Sequence, residues 1–336
     1  MNSRHELLCV VCPCYNEEEV IGDFYHELKT VLDSIGDLDY TILFVDDGST
    51  DGSLQRLNAL ARNDNCVQVY SLSRNFGHQI ALTAGLDVAV GDAVVMMDSD
   101  LQHPPALIRQ MVDLWREGYD VVSAARKSTA DASFLKRLTS NGFYWLLNRL
   151  SDTPIATGVA DFCLLSQRAH AALRNMPERR RFLRGMISWI GFKRAFLPYD
   201  APSRPRGKSK YTLARMLTLA FDAAFSFSVV PIRIAVRLGL IIVSCGVVYL
   251  SYVIFRYFVL GDLVQGWGSL IGVTLILGGL QLAFIGLIGA YIARIFDEVK
   301  ERPLYFVKQK PADQAAVTQR QGSGKSFAAR TGTTVS

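Results

Sequence analysis

The sequence predicts a doubly wound α/β domain with a mainly parallel sheet, followed by a C-terminal hairpin of two membrane-spanning helices. Three observations predict it. Strand-length apolar runs alternate with helical stretches through the first part of the chain, the pattern of a parallel sheet covered by helices. Polar, acidic or glycine-rich loops follow the strands, where open α/β sheets bind their ligands. Towards the C-terminus lie two long stretches without a charge, in a chain of 336 residues that is 50% hydrophobic and only 20% charged. The mean hydropathy of +0.18 agrees with a membrane portion.

Net charge is +5 and the pI about 8.8, so an anionic partner is expected: a nucleotide, a phospholipid surface or nucleic acid. The six cysteines are scattered, and Cys12-Pro13-Cys14 lacks the spacing of a zinc or redox site. They read as reduced, buried small hydrophobes of a cytosolic domain. The N-terminus is polar through Glu6 and then enters a strand, unlike a signal peptide.

Residues 7–11 read as an apolar strand ending at Pro13, and Asn16-Glu17-Glu18-Glu19 opens a helix with acid in its first turn. The next strand, 40–45, ends in Asp46-Asp47-Gly48-Ser49-Thr50-Asp51-Gly52-Ser53, and a helix runs on to about Arg62. A third strand, Val67–Leu72, leads to Ser73-Arg74-Asn75-Phe76-Gly77-His78 and a helix through Ala89. A fifth strand is expected at 120–124, after a helix that ends near Glu117.

The fourth strand organises the rest. Val94-Val95-Met96-Met97 is a short run of the kind buried in the middle of a parallel sheet, and Asp98-Ser99-Asp100 follows it directly. Hard divalent cations such as Mg²⁺ or Mn²⁺ take oxygen ligands, commonly one or two carboxylates plus substrate phosphates. Alone, the same residues also fit an ordinary acidic turn before the helix that Pro104 and Pro105 begin.

After Arg126 the alternation loosens. Residues 133–150 read as an amphipathic helix, 161–165 as a strand with Asp161 at its start, and Arg179, Arg180, Arg181 and Arg184 as a charged cluster. Arg204, Arg206, Lys208 and Lys210 stand in a basic loop broken by Pro205 and Gly207 and closed by Tyr211. Residues 211–230 carry an apolar stripe that suits either a helix packed on the domain or one lying in the membrane interface.

Residues 238–255 carry no charge over roughly 18 positions and 267–293 over roughly 27, enough for two crossings, the second tilted. Their short connector, 259–266, makes them a hairpin. Arg233 and Arg237 precede the first span, and Arg294, Lys300 and Arg302 follow the second. The connector holds no Lys or Arg, with Arg256 at its edge, so the positive-inside rule puts both termini in the cytoplasm. Residues 311–336 are polar and expected to be disordered. Gly322-Ser323-Gly324-Lys325-Ser326 in that tail is no phosphate-binding loop, because its leading glycine would be Gln319 and no strand precedes it. No G-x-G-x-x-G follows the first strand, which argues against a dinucleotide oxidoreductase.

Pro13-Cys14-Tyr15-Asn16-Glu17, Val45-Asp46-Asp47-Gly48-Ser49, Asp98-Ser99-Asp100 and the basic loop through Tyr211 together resemble family-two glycosyltransferases of the GT-A fold. With the two apolar spans, the chain is similar to the polyprenyl-phosphate glycosyltransferases, relatives of dolichol-phosphate mannose synthase. Within them it looks most like the bactoprenol glucosyltransferases of the O-antigen-modifying type. The resemblance implies a division into a cytoplasmic catalytic domain (1–210), an interfacial helix (211–230), two spans (231–258 and 267–294) and a cytoplasmic tail (295–336, disordered from about 311).

It also implies roles. Pro13, Tyr15 and Glu17 would line the nucleotide cleft, and Asp46, with Asp47, would accept hydrogen bonds from uracil and ribose, as acids suit N–H and hydroxyl donors. The alternative for the acid pair is a helix N-cap. Asp98 and Asp100 would hold Mg²⁺ or Mn²⁺ against the diphosphate, with Asp98 also counted in the nucleotide site. Asp161 would be the catalytic carboxylate, acting as a base or as an orienting or charge-stabilising group. The acceptor, a phosphate monoester with a second pKa near 6, is already mostly dianionic at neutral pH, which weakens the case for a base. Arg204, Arg206, Lys208 and Lys210 would hold the reacting phosphates or grip anionic lipid. Arg74 and Arg126 are further phosphate or sugar contacts. The cluster from Arg179 to Arg184 would be a solvated or subunit-contact face.

No Gln-x-x-Arg-Trp segment occurs and two spans build no polysaccharide channel, which disfavours a processive synthase. The expected enzyme is an inverting transferase of the bacterial inner membrane. It would move glucose from UDP-glucose to undecaprenyl phosphate at the cytoplasmic face, as a homo-oligomer with no nucleic-acid partner. The alternatives are another donor (UDP-4-deoxy-4-formamido-arabinose, UDP-N-acetylglucosamine or GDP-mannose) or an inactive nucleotide-binding membrane scaffold.

Overall fold

The structure is a computed structural model, described here for residues 5–126, 159–179, 181–200, 230–260 and 266–310. The chain forms two compact units, Met1–Leu101 with Tyr305–Ser336, and Gln102–Leu304. The expected helix at 133–150, the basic loop, the proposed interfacial helix up to Val229 and the tail from 311 lie outside the described residues.

The first unit is built as expected, with corrected bounds. Strands β1 (Glu6–Cys14), β2 (Leu38–Asp46), β3 (Val67–Leu72) and β4 (Ala93–Met96) alternate with helices α1 (Ile21–Asp33), α2 (Ser53–Asn63) and α3 (His78–Val88). All four strands run parallel, in the order β4-β1-β2-β3. β1 and β4 are buried over their central residues, which is why they read as unbroken apolar runs. Ile21, Phe24, Tyr25, Leu28 and Leu32 form the buried stripe of α1, at helical spacing. Helix α3 comes so close to the sheet that a Cβ at Gly85 would stand 2.3 Å from a Val11 methyl and 2.9 Å from a Val45 methyl, so only glycine fits there.

Two details differ from the sequence reading. β1 does not stop before Pro13 but runs through it to Cys14. The β1–β4 ladder ends at Val11 opposite Met96, so a residue without an N–H at 13 removes no bond from it. The other is a fifth strand in the segment expected to be tail. Val307–Gln309 pairs antiparallel with β3, placing Ser71 opposite Gln309 and Leu72 opposite Val307, and covers that edge of the sheet.

The second unit contains α4 (Leu107–Arg116), β5 (Val121–Arg126), β6 (Val159–Ser166), α5 (Gln167–Arg174), α6 (Leu183–Trp189) and β7 (Arg194–Tyr199). β5 pairs antiparallel with β6 and parallel with β7, so the mainly parallel expectation holds with antiparallel exceptions. Asp120, before β5, accepts from the Ser166 hydroxyl at 2.9 Å and pairs with the Arg168 guanidinium, which with its hydrogen bonds holds the carboxyl below its usual range. Ser166 in turn caps α5, its hydroxyl accepting from the Ala169 N–H at 3.3 Å.

Helices α7 (Val230–Leu260) and α8 (Trp267–Val299) cover the residues that were expected to form two spans, and large apolar side chains stand exposed along both. Among the described residues one segment, Ile276–Val299, is long and apolar enough to cross a membrane, and Ala235–Tyr249 is a shorter apolar stretch. The short strand Val307–Gln309 that follows α8 is β8.

Candidate active site

In the first unit the candidate residues gather where β1 to β4 end. The order 3-2-1-4 puts a topological switch point between β1 and β4, the crevice in which such sheets bind ligands. Pro13 and Tyr15 come from one side of it and Asp98 from the other. Pro13 is buried and contributes its carbonyl, which accepts from the Ser99 hydroxyl at 2.8 Å and so ties the two loops together. Tyr15 is exposed, with 43% of its surface accessible.

The loops after β1 and β2 are zipped side by side. Asn16 takes a left-handed backbone (φ 55°), which asparagine tolerates, and its Oδ1 accepts from the Thr50 N–H at 2.9 Å. The Asn16 N–H donates to Ser49 Oγ at 3.1 Å, the Glu17 N–H to Ser53 Oγ at 2.9 Å, and the Gly52 N–H to Glu18 Oε2 at 2.9 Å. Glu17 is therefore anchored through its backbone, while the bracing carboxylate is that of Glu18, a residue to which the sequence reading gave no role.

Asp46 and Asp47 are almost fully buried, at 1% and 2% exposure. Asp46 Oδ1 accepts from the Ser49 N–H at 3.1 Å and Oδ2 from the Ser71 hydroxyl at 2.7 Å. Asp47 receives the Phe76 N–H at 2.8 Å and the Gly77 N–H at 2.9 Å, one on each oxygen. Burial pushes the Asp47 carboxyl up, against the pull of those two N–H groups. Neither acid caps α2, whose first turn is instead met by Asp51, accepting from the Ser53 N–H at 3.0 Å. The pair braces two loops and retains lone pairs for ligand donors, since each carboxylate offers about four acceptor sites. Gly48 (φ +67°) makes this junction possible, because a Cβ there would stand 2.3 Å from the Arg74 carbonyl carbon.

Arg74, on the loop after β3, is exposed and lies over the Phe76 ring at 4.2 Å. His78 opens α3 and brings Nε2 to 3.3 Å from Asp98 Oδ1. No role was read for His78 in the sequence; its signal was a histidine heading a helix after a glycine on a loop that follows a strand. Asp98 and Asp100 are half-buried, and the next residue, Leu101, has a left-handed backbone (φ 59°), a costly conformation for leucine of the kind found at functional loops. The donors are hard carboxylate oxygens, which fit Mg²⁺ or Mn²⁺. Among the described residues no group of three or more His, Cys, Asp or Glu forms a metal cluster.

In the second unit Asp161 lies inside β6 rather than at its start, 6% exposed. Arg184 of α6 grips it with two hydrogen bonds, Nε to Oδ1 at 2.7 Å and Nη2 to Oδ2 at 2.8 Å. This takes Arg184 out of the cluster read as a solvated or subunit-contact face. Arg179 differs again: its N–H donates to both Glu298 carboxylate oxygens, at 2.9 and 3.1 Å, and its guanidinium to the Arg302 carbonyl. Arg180 lies outside the described residues, as do Arg204, Arg206, Lys208 and Lys210. Arg126 ends β5 and is exposed. His103 is buried, stacked on Phe162 at 5.2 Å with Tyr199 edge-on at 6.3 Å.

Residues 9–174 match the family model described as glycosyl transferase family 2. An uncharacterized glycosyltransferase of Bacillus subtilis is 40% identical over 307 residues, covering 91% of this chain and 95% of its own. A prophage bactoprenol glucosyl transferase homolog of Escherichia coli is 37% identical over 302 residues (90% and 98%), and the SfII prophage-derived bactoprenol glucosyl transferase of Shigella flexneri 38% over 302 (90% and 97%). A mannosyltransferase from Pyrobaculum calidifontis is a more distant likeness, with a TM-score of 0.46 and 17% identity over 67% of this chain and 64% of that one. The chain belongs to glycosyl transferase family 2: it is a glycosyltransferase with a GT-A catalytic fold.

Proposed function

We propose that the enzyme transfers a hexose, glucose from UDP-glucose, to undecaprenyl phosphate with inversion at the sugar carbon, on the cytoplasmic face of a bacterial inner membrane. The observation that carries this reading is the reach of the similarity. The relatives named bactoprenol glucosyl transferase match over about 300 residues, 90% of the chain, well beyond the family-model match that ends at 174 and into the apolar helices.

The residues support the chemistry. Asp46 and Asp47 offer acceptors to the N–H and hydroxyl groups of a nucleoside. Asp98 and Asp100 would hold Mg²⁺ or Mn²⁺, which when bound neutralises charge on the departing nucleoside diphosphate. His78 Nε2 lies 3.3 Å from Asp98 Oδ1, close enough to add positive charge beside that carboxylate when the imidazole is protonated. The acceptor phosphate is its own nucleophile, mostly dianionic at neutral pH, so the transfer needs no proton abstracted from it. An Asp161 whose two oxygens both receive the Arg184 guanidinium suits orienting a ligand or stabilising positive charge on the sugar ring better than removing a proton. Arg204, Arg206, Lys208 and Lys210 would hold two dianionic phosphates together, and Arg74 and Arg126 would add contacts to phosphate or sugar.

Chain connectivity supports two crossings. The chain leaves the first unit after Leu101 and re-enters it at Tyr305, so both ends of the intervening stretch belong to one folded body. Such a stretch crosses a bilayer an even number of times. α7 and α8 provide a pair, and the arginines and lysines flanking that pair favour a cytoplasmic catalytic domain.

The test is transfer of isotope-labelled sugar from a panel of nucleotide donors to a bacterial lipid extract, with the membrane-embedded full chain. UDP-glucose should give a labelled, mild-acid-labile lipid, releasing UDP. Labelling from another donor alone would change the sugar, and no transfer from any donor would favour the scaffold.

A further inference from the structure

The short strand β8 does more than close a sheet edge. The residues just before and within it grip the loop at 73–77, the one that carries Arg74 and that Asp47 holds from beneath. The Ser73 N–H donates to the Phe306 carbonyl at 2.8 Å. The Phe306 ring meets the Phe76 ring in a tilted pair, centroids 6.5 Å apart at 44°, and the Arg74 guanidinium lies over the Phe76 ring at 4.2 Å. On either side the segment is anchored elsewhere in the same unit. The Tyr305 hydroxyl donates to Asp87 Oδ2 at 3.0 Å, and the Gln309 amide donates to Asn58 Oδ1 at 2.9 Å.

We propose that Phe306 is a positioning residue for the donor: through Phe76 it holds the Arg74 guanidinium where it meets the diphosphate of a nucleotide sugar. The inference rests on the reading of this cleft as a nucleotide-sugar site. Three features favour it over simple edge protection. β8 is only three residues long, too short to need an aromatic side chain for pairing alone. Phe306 leaves 58% of its surface exposed, so it adds little to the core. The loop it touches is the one whose two backbone N–H groups bind the buried Asp47 carboxylate. An exposed arginine on a long stem loses rotamer freedom when it binds phosphate; an aromatic platform held in place by a neighbouring ring lowers that cost beforehand.

The experiment is a double-mutant cycle on the purified full chain in detergent, reading UDP and GDP binding by calorimetry with Mn²⁺ and, in parallel, the donor KM and kcat of transfer. Phe306→Ala keeps the backbone pairs of β8. It should weaken nucleotide binding and raise donor KM by about tenfold, the size of one impaired charge-assisted contact, with kcat little changed. Phe306→Tyr should restore both. Arg74→Ala should show a similar loss, and Phe306→Ala added to it should cost almost nothing further, since residues acting through one contact are not additive. Wild-type binding by Phe306→Ala, or losses that simply add, would overturn the positioning role alone. A wild-type protein that binds neither UDP nor GDP would overturn the nucleotide-sugar reading and this inference with it.

Discussion

Arg184 meets Asp161 as a two-pronged pair, Nε to Oδ1 at 2.7 Å and Nη2 to Oδ2 at 2.8 Å, joining α6 to a strand residue that is almost wholly buried. Two parallel bonds fix both the position and the plane of the carboxylate, which a single cation does not. Arg184→Lys keeps the charge and loses the fork. It should lower turnover by about ten- to a hundredfold, the scale set by misplacing a reacting group by a fraction of an ångström. Arg184→Ala should in addition lower thermal stability by about 1–3 kcal/mol, toward the low end because the guanidinium is part exposed. Transfer rates and melting curves on the same preparations check both. Unchanged turnover in the lysine variant would return Asp161 and Arg184 to the scaffold.

Asp98 and Asp100 lie directly beyond β4, with Ser99 between them hydrogen-bonded to the Pro13 carbonyl. Replacing either acid by asparagine keeps size and most hydrogen bonding but removes a charge from the proposed metal and diphosphate site. Turnover should fall by two or more orders of magnitude, in line with the several kcal/mol a Lewis acid contributes. The Ser99 tie should leave the melting temperature close to wild type. Full activity of both variants in excess EDTA would falsify the metal assignment.

At the opposite end of the strands, Asp64 anchors a network remote from the candidate site. It receives Lys29 Nζ at 2.8 Å, the Tyr25 hydroxyl at 2.6 Å and the Cys66 N–H at 2.9 Å. Burial alone would raise the carboxyl, but these donors outweigh it and bring it down to about 2. Its folded value is thus below the unfolded one of about 3.9, so its contribution is complete above pH 4 and lost as pH falls from about 4 to 2. Asp64→Asn should melt lower than wild type at pH 6, by an amount worth about 1 kcal/mol after screening, and the gap should close between pH 4 and 2. Transfer at neutral pH should be unaffected. A gap that stays constant down to pH 2 would mean that the asparagine cost is packing and not charge.

The parallel core was legible because each of its strands is covered on both faces and appears as an apolar run followed by its own acidic or glycine-bearing loop. The ends of β1 to β4 thereby announced Tyr15, Asp46, Asp47, Arg74, Asp98 and Asp100. What was hidden depends on contacts distant in sequence. Arg184 looked like one of four surface arginines, and only the fold brings it across to Asp161, 23 residues earlier. β7 includes Pro198, which argues against a strand, yet it pairs with β5 throughout. β8, a three-residue Val-Lys-Gln strand after a long apolar helix, carries no periodicity at all. Asp47 announced itself correctly as a loop acid, but its two bonds to the Phe76 and Gly77 N–H groups show a bracing role that spacing alone does not encode.

The return of the chain to β3 also makes the membrane arrangement testable. Ser71 stands opposite Gln309, so the chain ten residues beyond the end of α8 belongs to the same folded unit as the candidate nucleotide site. With both flanks of the helix pair in one unit, α7 and α8 either cross together, leaving only their connector outside, or do not cross at all. A cysteine at Asp262 should react with a membrane-impermeant maleimide added to whole cells, or to spheroplasts where a wall blocks access. A cysteine at Ser336 should react only after permeabilisation. The native Cys245, on the exposed flank of α7, should stay unreactive in both cases because lipid would cover it, and Cys245→Ala provides the control. Labelling of the Ser336 site in intact cells would reverse the orientation. Protection of the Asp262 site in intact cells, with reaction after permeabilisation, would mean that the two helices lie along the membrane and do not cross it.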